Sequence, residues 1–219
     1  MSFKIDEDLP YCPGCGHKQI VEGTAKACDN LDWPPNDVVL VTDIGCVGMA
    51  DKHFPSHTIH GLHGRSPALA TGIRFGLNDP DKHVIVFIGD GGATIGLQHL
   101  MEAARLNVNM TLVVYNNMLY GMTGGQSSGL TPEGYCTTTE PKGSVTESYD
   151  LPKLVHQAGA GFSSRVMFNR NLIEELEAAF DHEGFSLVEV MEYCLSYGNK
   201  YNPGKKLEHI SEEEGRPAR

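Results

Sequence analysis

Two stretches decide the fold: His83–Gly92, HVIVFIGDGG, and Thr111–Asn117, TLVVYNN. The runs Val84–Ile88 and Thr111–Tyr115 are apolar without alternation, the pattern of strands covered on both faces. Between them, over Thr94–Leu106, Leu97, Leu100, Met101 and Ala104 recur at helical spacing. A strand, a helix and a second buried strand make one parallel unit. Working outward, Asp37–Thr42, Phe162–Met167 and Phe185–Met191 are further β-rich runs. Gln19–Leu31 sets Ile20, Val21, Thr24 and Cys28 near one helical face, and Asn171–Phe180 does the same with Leu172, Leu176, Ala179 and Phe180. Ser66–Phe75 is a helix of small residues. The expected fold class is α/β, a mostly parallel sheet with helices on both faces.

Composition narrows the function classes. The chain has 219 residues, room for one ordinary domain. No apolar stretch is long enough to span a membrane. The acidic opening MSFKIDEDLP has no apolar core of a secretory signal, so a cytoplasmic enzyme subunit is expected. A net charge of −11 argues against binding nucleic acid. Residues 1–204 are expected to form the domain. Tyr120–Val145 is rich in Gly, Thr, Ser and Pro and reads as a long loop, which in compact domains is functional or disordered. Residues 205–219 read as a charged tail without apolar anchors, disordered alone or docked on a partner.

Gly89-Asp90-Gly91-Gly92 joins a strand end to a helix start, where free N–H groups and the helix dipole favour an anion. Glycines permit close approach of backbone to phosphate, and Asp90 is a hard oxygen ligand for Mg²⁺ or Ca²⁺. If the next strand pairs beside this one, Asn117 arrives at the same rim, where ligands of open α/β sheets bind. Its carboxamide oxygen and the Leu119 carbonyl are further hard ligands. Taken alone, GDGG is a weak signal, and Asn-Asn reads first as a turn after a strand. Their spacing by one strand–helix–strand unit favours a shared site.

Six cysteines without a secretory signal point to thiols or metal ligation rather than structural disulfides. Cys12-Pro-Gly-Cys15 fits zinc, redox or cluster ligation. The absence of a second CxxC argues against a zinc ribbon, and no apolar strand precedes Cys12 as a thioredoxin-like site requires. Scattered thiolates can still converge on an iron–sulfur cluster. Cys28 reads as a small buried apolar residue, and Cys136 lies in the long loop.

GDG followed by Asn-Asn at this interval is the thiamine diphosphate fingerprint, and Tyr120-Gly121-Met122-Thr123-Gly124-Gly125-Gln126 extends it. With Tyr11-Cys12-Pro13-Gly14-Cys15-Gly16-His17 and Ile44-Gly45-Cys46, the chain resembles the thiamine-binding β subunits of 2-oxoacid:ferredoxin oxidoreductases from Tyr11 to about Cys194. The resemblance implies the thiamine diphosphate-binding fold. It implies that Asp90, Asn117 and the Leu119 carbonyl hold Mg²⁺ on the diphosphate. Ile44, Gly45, Cys46, His63, Gly89, Gly91, Gly92, Gly121, Met122 and Thr123 would line the cofactor. Cys12, Cys15, Cys46 and Cys194 would ligate a [4Fe–4S] cluster, and Arg65 would bind an anionic group. The implied activity is oxidative decarboxylation of a 2-oxoacid to an acyl-coenzyme A. Electrons would leave through the cluster to ferredoxin or a flavin subunit. No motif places the glutamate that activates thiamine, so the resemblance implies α (pyrimidine-binding) and γ-type partner subunits. A non-oxidative thiamine decarboxylase subunit, a zinc-stabilised binding module and a flavodoxin-like carrier are the competing classes. None of them explains cysteines and GDGG together.

Overall fold

The structure is a computed structural model that describes residues 2–5 and 8–213. The elements follow in the order α1 (Gly16–Asn30), β1 (Val38–Thr42), β2 (His57–His60), α2 (Ser66–Leu77), β3 (His83–Gly89), α3 (Asp90–Ile95), α4 (Leu97–Arg105) and β4 (Met110–Asn116). After them come the two-residue strands β5 (Leu119–Tyr120) and β6 (Gln126–Ser127), then α5 (Leu151–Ala158), β7 (Phe162–Met167), α6 (Leu172–Asp181), β8 (Phe185–Met191), α7 (Gly198–Tyr201) and α8 (Leu207–Glu213). Six strands form one parallel sheet in the order β2-β1-β3-β4-β8-β7. β5 and β6 form a separate antiparallel ladder.

Alternate residues of each central strand feed opposite layers. Leu40, Phe87, Tyr115 and Val190 point to the side covered by α1 and α6. Val41, Val86, Ile88, Leu112 and Leu187 point to the side covered by α2, α4 and α5. Both faces are therefore apolar, which is why VIVFI and LVVY carry no alternation. Each fully buried Leu, Ile or Phe contributes about 1.5–3 kcal/mol of transfer free energy. Among the described residues no helix is long and apolar enough to cross a membrane.

The sequence and the structure differ at four places. β2, His-Thr-Ile-His, is an edge strand with all four residues exposed, so it has no apolar signature. α5 is short, and its amphipathic pattern is carried by Leu151 and Val155 alone as buried positions. The helix expected over Thr94–Leu106 is two helices broken at Gly96, where the loop after β2 crosses. A Cβ on Gly96 would stand 2.1 Å from the Gly64 carbonyl oxygen. Gly96→Ala must push two backbones apart, and we expect it to lower stability by about 1–3 kcal/mol, read as a lower unfolding midpoint.

The fourth difference is the charged tail. Leu207 and Ile210 are each 3% exposed and pack with Met118, Leu119, Tyr135, Met167 and Met191. The expectation that 205–219 lacks apolar anchors is therefore wrong through α8. Two side chains on adjacent turns gave too weak a pattern inside a charged run. The residues from 214 onward lie outside the described part. The loop after β5 is not regular, as expected, but it is fixed. Thr131 Oγ1 donates to the Met118 carbonyl at 2.6 Å, and Thr131, Tyr135 and Thr137 are buried.

Candidate functional site

Four consecutive strands of the sheet, β1, β3, β4 and β8, bring Cys46, Asp90, Asn117 and Cys194 to one rim at their carboxyl ends. The pairing of β3 with β4 is parallel, with Gly89 opposite Tyr115. This sets the GDGG turn beside the Asn-Asn turn, as the spacing required. The rim opens into a half-open cleft. Ile44, Gly45 and Cys46 wall it from β1, Gly89 to Gly92 from β3, and Asn117, Leu119, Gly121, Met122 and Thr123 from β4 and its loop. His63 completes the expected cofactor set in the same wall. Arg65 does not join them: it is exposed, and its guanidinium lies 3.4 Å from the Gly64 carbonyl.

Two turns give the site its shape. Met118 has φ 68, a left-handed conformation that costs a non-glycine residue roughly 1 kcal/mol. Asn116 enforces it. Its Oδ1 accepts the Met118 N–H at 3.0 Å, and its Nδ2 donates to Glu189 Oε1 at 2.6 Å. Arg165 anchors Glu189 in turn at 2.7 Å and reaches Asp150 at 3.0 Å. Burial raises the Glu189 carboxyl above the usual range, and the Arg165 charge opposes that shift. Strands β7 and β8 thus brace the turn that carries Asn117 and Leu119. At the other turn, the glycines serve contacts within the chain. A Cβ on Gly91 would stand 2.2 Å from the Tyr120 ring, and one on Gly92 would stand 2.6 Å from Asp43 Oδ1.

Asp90 is 4% exposed and accepts a short hydrogen bond from Ser128 Oγ. Burial pushes its carboxyl up to about 7, against the opposing hydrogen bonds from Ser128 and the Gly91 N–H. No Lys or Arg hydrogen-bonds it among the described residues. A buried carboxylate short of positive charge, beside the carboxamide of Asn117, fits a divalent cation and the anion that the cation would carry.

Asp43 organises the opposite wall. It is fully buried and accepts from the Ile44 N–H at 2.8 Å, the Gly64 N–H at 2.9 Å, His63 Nδ1 at 2.7 Å and Ser66 Oγ. Its bond to Nδ1 turns the other nitrogen of His63 away from Asp43, and the ring lines the cleft. Asp43→Ala leaves these donors unpaired at about 1–3 kcal/mol for each buried one. We expect a loss of at least ~3 kcal/mol in unfolding free energy, with Asp43→Asn costing less because one oxygen acceptor remains.

The four rim cysteines converge from three parts of the chain. Cys12 and Cys15 sit on a turn closed by the Cys15 N–H to Cys12 carbonyl bond at 2.9 Å, just before α1. A methyl placed on Gly121 would lie 3.7 Å from Cys194 Sγ and 3.8 Å from Cys46 Sγ. Burial pushes the Cys46 thiol up to about 11, with the nearby charges of Cys15, Cys194 and Cys12 adding to the shift. Thiols that disfavour one another's ionisation, gathered at a half-open rim, fit a site for a soft metal or cluster. Cys28 is fully buried within α1, and Cys136 is tied by its backbone to Asn202; neither joins the group.

Several residues at this rim carried no separable signal in the sequence. Asp43 stands between β1 and Ile44-Gly45-Cys46, outside the residues that the motif names. Ser128 comes from the long loop, and Val47 and Tyr115 line the cleft from a turn and from within an apolar run. His17 and Glu192 are 2% and 0% exposed and face one another, His17 Nδ1 lying 3.0 Å from Glu192 Oε2. Burial would hold His17 neutral, but Glu192 and Cys15 outweigh it and push its pKa up to about 10. The lone sequence hint was His17 standing two residues after Cys15.

Comparison with known proteins places this architecture. The family model described as thiamine pyrophosphate enzyme, C-terminal TPP binding domain, matches residues 43–190. The chain is 37% identical over 211 residues to the 2-oxoglutarate synthase subunit KorB of Methanocaldococcus jannaschii, covering 94% of this chain and 77% of that protein. It is 39% identical to the subunit of the same name from Archaeoglobus fulgidus, covering 94% and 78%. Among solved structures, 2-oxoglutarate:ferredoxin oxidoreductase from Magnetococcus marinus, with 2-oxoglutarate, coenzyme A and succinyl-CoA bound, superposes with a TM-score of 0.83 at 31% identity, over 89% of this chain and 68% of that one. Benzoylformate decarboxylase from Polynucleobacter necessarius shares the fold, with a TM-score of 0.59 at 17% identity over 89% of this chain and 36% of that one. The sheet order, the double-turn rim and these relatives agree: the chain belongs to the β subunits of the 2-oxoacid:ferredoxin oxidoreductases, built on the thiamine diphosphate-binding fold.

Proposed function

We propose that this chain binds thiamine diphosphate, Mg²⁺ and one [4Fe–4S] cluster in the cleft and at its rim. In the assembled enzyme it carries the oxidative decarboxylation of a 2-oxoacid to an acyl-coenzyme A. Asp90, the Asn117 carboxamide and the Leu119 carbonyl hold the cation. Cys12, Cys15, Cys46 and Cys194 hold the cluster. Thiamine diphosphate supplies the carbanion chemistry at the substrate carbonyl. The protein supplies position and charge. Asn116, Glu189 and Arg165 keep the cation ligands turned into the cleft. Asp43 holds His63 in one tautomer against the bound cofactor. Ile44, Val47 and Met122 give the cleft an apolar wall.

The observation that carries the reading is the shared rim. Cys46 and Cys194 flank Gly121, whose own segment lines the cleft beside Asn117. Electrons leaving the substrate therefore have a short path to the cluster. The activating glutamate is assigned by the family resemblance to a pyrimidine-binding partner subunit. We infer a cytoplasmic hetero-oligomer with α and γ-type subunits, passing electrons to ferredoxin or a flavin-bearing subunit. 2-Oxoglutarate is the first substrate to test, because the KorB relatives carry that name.

The test is the iron, sulfide, magnesium and thiamine diphosphate content of the complex purified without oxygen, followed by 2-oxoacid-dependent reduction of an acceptor dye. Cluster and cofactor in equal amounts on this subunit, with coenzyme A-dependent turnover, is the expected result. Thiamine diphosphate without iron would turn the reading to a non-oxidative decarboxylase. Zinc without thiamine diphosphate would end it.

A further inference from the structure

Glu192 and His17 are buried at the rim, and neither the cation site nor the four cysteine ligands use them. The Glu192 side chain is wholly buried, and its Oε2 lies 3.0 Å from His17 Nδ1 and 4.0 Å from Cys15 Sγ. Nδ1 itself lies 3.4 Å from that sulfur. Bonds of about 2.0–2.3 Å to a single zinc-like ion, at tetrahedral angles, set ligand atoms about 3.3–3.6 Å apart. The three separations bracket that span. Among the described residues, Cys15, His17 and Glu192 are the one group of three or more His, Cys, Asp or Glu whose ligand atoms all lie within 4.8 Å of one another. No three of the rim cysteines draw together as tightly, a spread that suits a cluster of several atoms rather than one ion.

Glu192 Oε1 is buried without a hydrogen bond, as are the hydroxyls of Tyr11 and Tyr115, whose rings flank His17 at 5.2 and 4.9 Å. Unsatisfied buried polar atoms cost stability, and a bound ion with its water answers them. The carboxylate is also held in advance. A Cβ on Gly16 would stand 2.6 Å from Oε2, so the residue between Cys15 and His17 leaves it room. The Glu192 N–H donates to the Asn116 carbonyl at 2.9 Å, which pins its backbone to the end of β4. Carboxylate, imidazole and thiolate together suit a borderline-soft transition-metal ion. In the metal-free chain the carboxylate and the sulfur hold a proton on His17, and ligation replaces that proton as it does at any histidine ligand.

We propose that Cys15, His17 and Glu192 bind one divalent transition-metal ion, of the zinc or ferrous class, in the chain before it carries a cluster. The fourth position is open to water. Half-buried Cys15 is the one of the three that reaches the surface, and it gives the ion its way in. Cys15 belongs both to this site and to the proposed cluster, so the two occupants exclude one another. A bound Zn²⁺ therefore blocks cluster assembly until it leaves.

The experiment strips iron from the assembled complex by oxidation and chelation, then titrates it without oxygen with Co²⁺, whose absorption reports ligand type and geometry. Wild type and Cys12→Ala are both expected to take up one ion at this site, with tetrahedral bands and the charge transfer of a single thiolate. Cys15→Ser should lose that charge transfer. Glu192→Gln, of the same shape, should bind at least ~10-fold more weakly. Sites on other subunits contribute equally to all four samples and cancel in the differences. Zn²⁺ added first should slow rebuilding of the cluster in wild type and not in Glu192→Gln. A spectrum of several thiolates that Cys12→Ala abolishes, equal Co²⁺ affinity in Glu192→Gln, or no uptake by wild type overturns the proposal. Should Glu192→Gln fail to fold, Cys15→Ser against Cys12→Ala decides. A complex that as purified holds no iron and sulfide overturns the cluster reading instead, and the Co²⁺ titration still decides the single-ion site.

Discussion

Asp90→Ala is expected to cost the complex its thiamine diphosphate while leaving the proposed cluster's iron and sulfide in place. The carboxylate is buried at the end of β3 and receives Ser128 Oγ and the Gly91 N–H, and no lysine or arginine hydrogen-bonds it among the described residues. A divalent cation is the positive charge that this arrangement lacks. Removing an outer-shell partner of a bound metal already costs about 10–100-fold in affinity, so losing a charged ligand should weaken cofactor binding by at least ~100-fold. Equilibrium dialysis of the cofactor with Mg²⁺ present, beside iron analysis of the same sample, separates the two sites. Equal cofactor affinity in the variant and the wild type would remove Asp90 from the site.

Cys12→Ala gives the opposite pattern. Cys12 stands at the outer end of the cysteine group, and Cys46 rather than Cys12 walls the cleft. Its loss should abolish the cluster and leave thiamine diphosphate bound. Dye reduction should fall by about 100-fold, equivalent to ~2.7 kcal/mol of barrier. Iron and sulfide near zero, with cofactor content unchanged, is the result expected. Full dye reduction in this variant would mean that electrons leave by another path. The two variants together ask whether one rim holds two independent sites, and the iron and cofactor contents answer without knowledge of the 2-oxoacid.

The central sheet was legible because burial on both faces writes itself into the sequence as uninterrupted apolar runs. Val84–Ile88 and Thr111–Tyr115 can be little else. The edge strand His57–His60 escaped because all four of its residues are exposed, and Leu207 and Ile210 escaped because two anchors do not make a periodic pattern. The candidate site was legible where its residues are joined in short motifs, as in GDGG, Asn-Asn and CPGCGH. Asp43, Ser128 and Glu192 act through contacts that close only when distant strands are side by side. Their roles are consequences of strand order, which no local window contains. The glycines show the same division. The sequence reads them as room for a phosphate, whereas at Gly91 and Gly92 it is Tyr120 and Asp43 that fill the space a Cβ would need.

The gathering of the cysteines also has a consequence for biogenesis. Cys12 Sγ lies 3.7 Å from Ser196 Oγ, a contact spanning 184 residues of chain. Cys12 and Cys15 leave the ribosome first, and the last thiol arrives only after β8, the strand inserted between β4 and β7. Pairings so remote in sequence form late in folding. Until then the early thiols are solvent-exposed and open to oxidation. A nascent or truncated chain that stops before Phe185 should therefore offer no place for iron. Under the proposed cluster reading, assembly of the cluster would have to wait for a completed sheet.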